Sequence, residues 1–157
     1  MKIKILAIGK TDSSEIQSLI ATYEKRLQHY AQVELLYLPD LKKTKNLSHT
    51  EQRTKEGALL LKQLKPGDQL VLLDERGKEL RSIDFSKYLQ KKMNSGIKQL
   101  VLAIGGPFGF SDEVYKKATG RLSLSKMTFS HQMVRLFIVE QLYRAFTILR
   151  NEPYHHE

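Results

Sequence analysis

The 157 residues include no cysteine and no tryptophan. Without cysteine there can be no disulfide scaffold, no thiolate zinc site and no redox-active thiol. Proline is sparse, and no low-complexity run or internal repeat interrupts the chain, which excludes linkers and repeat arrays. Long apolar runs are missing too. The longest nearly apolar stretch, Val134 to Val139, contains Arg135 and falls far short of the ~20 residues of a membrane span. At the N-terminus Lys2, Lys4 and Lys10 bracket a very short hydrophobic segment, unlike a secretory signal. These absences predict a soluble, cytoplasmic protein.

What is there suffices for one core. Hydrophobic residues make up 41% and recur along the whole length. Size scaling gives a folded surface of roughly 8,000 Å² against about 26,000 Å² unfolded, so residues 1–157 are read as a single domain. Lysine and arginine number 26 against 17 acidic residues, a net charge of +9 that favours a polyanionic partner. The excess is spread, with 12 basic and 8 acidic residues in 1–70 and 14 and 9 in 71–157. Any basic face has to be assembled by the fold.

The pattern alternates strand and helix. Lys2–Ile8, Val33–Leu38, Gln69–Asp74, Leu100–Ile104 and a stretch around Leu122–Leu124 read as strands. Leu70-Val71-Leu72-Leu73 and Leu100-Val101-Leu102-Ala103-Ile104 are continuously apolar, as in parallel strands covered on both faces. Helices are predicted at 13–30, from a Ser48–Glu51 capping box to about Leu64, at 82–95, at 112–118 and at 131–150. A polar, Lys-rich loop fills 41–47, and another loop takes Glu75-Arg76-Gly77-Lys78. The fold class is α/β, around a mostly parallel sheet.

Three local patterns lead nowhere. Gly9-Lys10-Thr11 lacks the first glycine of a P-loop, because Lys4 stands there. Gly105-Gly106-Pro107-Phe108-Gly109 is not a dinucleotide fingerprint, and Ser125 stands where the ribose acid belongs. His155-His156 has no third ligand at a recognised spacing, so no metal site is predicted. The glycine turn does place backbone that can approach a ligand at a strand's carboxyl end, as a plain tight turn also would.

The helix predicted at 131–150 is apolar around nearly its whole circumference. A domain of this size has little room to surround it, so a second copy of the chain is expected on one side, as a symmetric dimer. Arg135 falls among Val139, Leu142 and Phe146 and needs an acceptor, either a structural ion pair or an anion at a dimer cleft. Glu140 and Arg144, four residues apart in the favourable order, read as a surface salt bridge. Before the helix, the run Leu122 to His131 has no periodicity. A loop like this can recognise an adenine edge through main-chain hydrogen bonds.

Six motifs occur in order: Ile104-Gly105-Gly106-Pro107, Leu122 through Phe129, His131 with Arg135, Glu140 through Ala145, Pro153-Tyr154-His155, and upstream Leu73-Asp74 with Gly77-Lys78. Together, and with Gly9-Lys10, they resemble the small bacterial 23S rRNA pseudouridine N3-methyltransferases of the SPOUT (α/β-knot) superfamily, over the whole chain. The resemblance implies a C-terminal deep trefoil knot, a homodimer, and an S-adenosylmethionine site built by Leu73, Gly105, Leu124, Ser125, Lys126, Met127, Thr128 and Phe129. It implies Arg144, Tyr154 and His155 as catalytic and substrate residues, with the tail completing the partner's pocket, and 23S rRNA in the ribosome as substrate. In that scheme His155 is the candidate base, Arg144 the stabiliser of developing charge and Tyr154 a stacking or orienting ring. The competing reading is a non-catalytic basic ribosome-assembly factor on the same scaffold, which has no need of a cofactor pocket.

Overall fold

The computed structural model describes residues 1–42 and 44–156. Of the Lys-rich loop expected at 41–47, Lys43 lies outside the described residues, and Thr44–Asn46 form one 3-10 turn. The strands are β1 (Lys2–Ile8), β2 (Val33–Leu38), β3 (Gln69–Glu79), β4 (Gln99–Ile104) and β5 (Gly120–Ser123). The helices are α1 (Ser14–Leu27), α2 (His49–Leu61), α3 (Ser82–Asn94), α4 (Asp112–Lys117) and α5 (His131–Leu149). Among the described residues no helix is long and apolar enough to cross a membrane.

The strands form one five-stranded sheet in the order β2-β1-β4-β3-β5, and every pairing is parallel. The continuous apolar runs have the expected cause. In β4, Leu100, Leu102 and Ile104 enter the core under α1, α3 and α5, while Val101 and Ala103 enter the core under α2 and α4. In β3, Val71 points to the first core and Leu70 and Leu72 to the second. Each such Leu, Ile or Val side chain contributes about 1.5–3 kcal/mol by leaving water. Helix starts follow their caps. Ser13 accepts from the Ile16 N–H, Ser130 accepts from the Met133 N–H, and Ser48 and Glu51 form the reciprocal capping box.

Several boundaries differ from expectation. Helix α1 stops at Leu27 and helix α2 at Leu61, and β5 ends at Ser123, so Leu124 leaves the sheet for the loop beyond it. One further difference concerns the site. The expected loop at 75–78 is an irregular part of β3: Leu73 and Lys78 both pair with Leu122, and 74–77 bulge out between them. Gly77 permits the return, since a Cβ there would stand 2.5 Å from the Leu122 backbone.

Candidate functional site

The carboxyl ends of β3, β4 and β5 open onto one cavity of about 510 Å³. Its walls are the 73–76 bulge, the 104–110 turn and the 123–131 loop, closed by Val134 of α5. Open parallel sheets bind ligands at such carboxyl ends. Glycine, serine and proline alternate in that wall with larger residues such as Asp74, Phe108, Tyr115 and Phe129. The Gly109 N–H donates to the Gly106 carbonyl at 3.1 Å and closes the turn. A Cβ on Gly106 would meet Glu56 Oε2 at 2.4 Å, so any larger residue there has to displace the buried Glu56 carboxyl of α2. Glu56 itself is buried, held through Oε1 by Gln52 at 2.8 Å, and burial raises its carboxyl above the ordinary range.

The bulge and the loop are tied together across the cavity. The Thr128 hydroxyl donates to Glu75 at 3.1 Å. In the loop, Ser123 donates to the Ser125 carbonyl and the Met127 N–H donates to Ser125 Oγ, so short serine contacts replace secondary structure. On the bulge side, Asp74 accepts from the Tyr115 hydroxyl at 2.5 Å and from the Arg76 N–H at 2.8 Å. Burial would raise the Asp74 carboxyl, but these two donors and the Arg76 and Arg121 charges together hold it below the usual carboxylate range. Asp74 thus stays ionised on one wall, with Arg76 Nε 3.6 Å from its Oδ1 on the same wall. Tyr115 is pushed the other way, by its own burial and then by Asp74.

His131 stands at the cavity's edge with its imidazole shifted down, first by burial and then by the Arg135 guanidinium nearby. Arg135 is neither of the things expected of it. Among the described residues it forms no ion pair, and it does not line the cavity. Only 1% exposed, it donates to the Ile8 carbonyl at 2.6 Å and to Thr11 Oγ1 at 3.1 Å, with the Tyr37 ring 5.5 Å from its Cζ. A carbonyl at the end of β1, a hydroxyl and an aromatic face serve as its acceptors. It pins α5 to β1.

A second polar cluster forms near the far end of α5. Arg144 donates through Nε and Nη2 to Glu140 Oε1 at 3.0 and 2.7 Å. The Tyr154 hydroxyl reaches the same oxygen at 3.1 Å and the Tyr23 hydroxyl at 3.2 Å. Arg144 Cζ lies 4.7 Å from the Tyr154 ring centre, and its Nη1 is 3.4 Å from His155 Nδ1. A guanidinium can only donate, so Nδ1 is the acceptor there and the proton of a neutral His155 ring sits on Nε2. Burial, then the bond with Tyr23 and the Glu140 charge, pushes the Tyr154 phenol well up, which keeps it protonated. The expected surface salt bridge is thus the half-buried centre of a five-residue network.

The sequence-expected residues accordingly fall into two groups. Leu73, Gly105, Leu124, Ser125, Met127, Thr128 and Phe129 all line the cavity, whereas Lys126, in the same loop, is exposed and does not. Arg144, Tyr154 and His155 converge on one another but not on the cavity. From Val134 to Arg144 is ten residues of helix, about 15 Å at 1.5 Å per residue. Sequence reasoning missed Phe108 and Tyr115 as lining residues and left Asp74 and His131 without a role. Asp74 and His131 had a signal, since both stand in the quoted motifs. Tyr115 had none.

The model of the family described as "Predicted SPOUT methyltransferase" matches residues 1–155. Among curated proteins, "Ribosomal RNA large subunit methyltransferase H" of Flavobacterium psychrophilum is 62% identical over 157 residues, covering 100% of both chains. The protein of the same name from Christiangramia forsetii is 61% identical over 156 residues, 99% of each chain. That of Parabacteroides distasonis is 58% identical over 157 residues, 100% of each.

Proposed function

Because the chain belongs to the SPOUT methyltransferase family, we propose that it transfers a methyl group from S-adenosylmethionine to N3 of a pseudouridine in 23S rRNA. One observation carries the reading: the glycine turn after β4 and the aperiodic loop before α5, far apart in sequence, wall the same cavity. A non-catalytic rRNA binder on this scaffold has no use for that arrangement.

The cavity suits the donor. A volume of about 510 Å³ lies within the range of small-molecule sites. The turn and loop offer main-chain groups to an adenine edge, and the two carboxylates of the wall, Asp74 and Glu75, outnumber its one guanidinium, Arg76, which suits a cationic sulfonium. Leu73, Gly105, Leu124, Ser125, Met127, Thr128 and Phe129 hold the group in this reading. Lys126 faces outward and is assigned no contact. When bound, S-adenosylmethionine supplies an electrophilic methyl on sulfur.

The remaining chemistry belongs to the chain. N3 of pseudouridine lies between two carbonyls and must lose its proton as it attacks. Arg144 turns from Glu140 to a carbonyl oxygen of the base and stabilises the developing anion. That turn also frees His155 Nδ1, the one lone pair of the neutral ring, to take the proton from N3. Tyr154, kept protonated, orients the base.

One subunit keeps the two clusters apart, so the reading includes a homodimer in which the tail of one chain completes the cavity of the other. It also includes the C-terminal trefoil threading and a cytoplasmic setting. Two observations support the dimer. Met133, Leu136 and Phe137 of α5 are only partly covered. The chain alone exposes 9483 Å², above the roughly 8,000 Å² expected of a compact monomer of this mass.

The test is methyl transfer from labelled S-adenosylmethionine to ribosomes lacking the modification, with mass mapping of the product. A single methyl on a pseudouridine of 23S rRNA is the expected result. Absent calorimetric binding of S-adenosylmethionine favours the non-catalytic binder instead.

A further inference from the structure

One patch of the surface has no part in either cluster. The segment 41–48 starts beside Asp40, whose charge acts on His131 at the cavity edge, and ends at His49, which stacks on Phe108 in the cavity wall. The far end of this segment therefore reaches the cavity wall, with Lys45 four residues before His49. Residues 41–55 carry Lys42, Lys43, Lys45, Arg53 and Lys55 against a single carboxylate, Glu51. That carboxylate is committed to the capping box, accepting from the Ser48 N–H and hydroxyl at 2.8 Å each. Lys42 and Lys45 are exposed, and neither forms an ion pair among the described residues.

The aromatic part is unusual for a free surface. The His49 and Phe108 rings stack with centroids 3.8 Å apart and planes 18° apart, and Phe108 still leaves 38% of its surface exposed. Phe108 occupies the third position of the turn that Gly106 and Gly109 close, so the ring is held out by a fixed backbone. Arg53, one helical turn after His49, donates Nη2 to Thr50 Oγ1, and its Nε is buried, so the accessible cations of the patch are the exposed lysines. A flat aromatic pile with exposed lysines four and seven residues before it in the chain matches one chemistry well: bases stack on the rings while phosphates meet the lysines. An acidic peptide would use the cations and leave the aromatic face idle.

We propose that the His49–Phe108 stack, with Lys42 and Lys45, docks a single-stranded segment of rRNA at the cavity mouth. The proposal rests on the rRNA reading above and adds where the strand lies. Phe108 supplies a stacking face for one base next to the target nucleotide. The lysines set its register by holding the flanking phosphates.

The experiment measures binding of the full-length protein to ribosomes lacking the modification, by sedimentation at several salt concentrations, with a parallel S-adenosylmethionine titration. The Lys42→Glu/Lys45→Glu protein is expected to bind at least tenfold more weakly, with its salt slope shallower by about two. His49→Ala and Phe108→Leu are each expected to lose about tenfold with an unchanged slope. The same ratios should appear on protein-free 23S rRNA. All variants within twofold of wild type would overturn the proposal, as would losses confined to intact ribosomes, which would make the occupant a ribosomal protein. Ribosome binding is read without methyl transfer. A protein that fails to bind S-adenosylmethionine yet shows these losses overturns the catalytic reading and keeps the docking face.

Discussion

The cavity at the sheet's edge and the cluster at the end of α5 are built from opposite materials. The cavity is walled by a glycine turn, a loop held by short serine contacts and a strand bulge. The cluster is all side chain, with Arg144, Glu140, Tyr154, Tyr23 and His155 holding one another. A backbone wall tolerates changes of side-chain chemistry but not of chain path. A side-chain network tolerates neither charge removal nor loss of a ring, while the chain path around it can stay the same. The two regions should therefore fail differently when mutated.

The largest expected effect is in the cluster. Arg144→Ala should lower kcat by about 10²–10³, the usual cost of removing a donor aimed at developing charge, with S-adenosylmethionine affinity unchanged. Arg144→Lys should recover little, because one ammonium cannot satisfy Glu140 and then turn as a planar fork. Steady-state kinetics on ribosomes together with calorimetry check both halves. A parallel loss of donor affinity would place Arg144 in the cavity and collapse the distinction between the two regions.

Gly106→Ala tests the other side. The added Cβ would stand 2.4 Å from Glu56 Oε2, and Glu56 is buried and held by Gln52. Such overpacking costs about 1–3 kcal/mol and shifts the turn. Donor affinity should fall tenfold or more by calorimetry, with kcat at saturation changed far less. A second change, Glu56→Ala, makes room and should restore much of the affinity. If it does not, the glycine serves something other than the path of the turn.

This contrast also explains what the sequence disclosed. Strand alternation, the capping box and the doubly buried strands β3 and β4 were legible because burial and capping select residue types directly. The cavity was legible only through ordered motifs, since a main-chain wall chooses glycine and serine for shape and leaves no reactive side chain to notice. The bulge at 74–77 escaped because Glu75-Arg76-Gly77-Lys78 has the composition of a turn, and its return to the ladder depends on a backbone contact with Leu122 made 45 residues later. Arg135 was misjudged for a related reason. Residue patterns reveal a buried cation but not a carbonyl such as that of Ile8, which any residue could provide.

A smaller effect lies where the two materials meet, at Asp74. Its folded carboxyl sits below the unfolded value of about 3.9, so its contribution to stability is complete above that pH and is lost as pH falls through the folded value. Asp74→Asn should cost about 1–3 kcal/mol at pH 7, because the Tyr115 hydroxyl and the Arg76 N–H would then donate to a weaker acceptor. The gap between mutant and wild type should begin to narrow once pH falls below about 4. Denaturant melts at pH 7 and pH 3 measure it. A gap that persists in acid would mean that the carboxylate charge contributes nothing and Asp74 acts by shape alone.

The smallest effect is expected at Lys126, and it bears most directly on how the cavity is built. The lysine belongs to the loop yet is exposed and no part of the cavity wall, between Ser125 and Met127, which line it. If the wall binds through its backbone, Lys126→Ala should change S-adenosylmethionine affinity by less than about twofold, since no contact is removed and a surface substitution rarely exceeds ±0.5 kcal/mol. Lys126→Pro keeps the charge equally absent but fixes φ and deletes the N–H, and it should weaken binding strongly. Equal behaviour of the two variants would contradict a main-chain site. A wide separation between them would show that this loop is read by its path and not by its side chains.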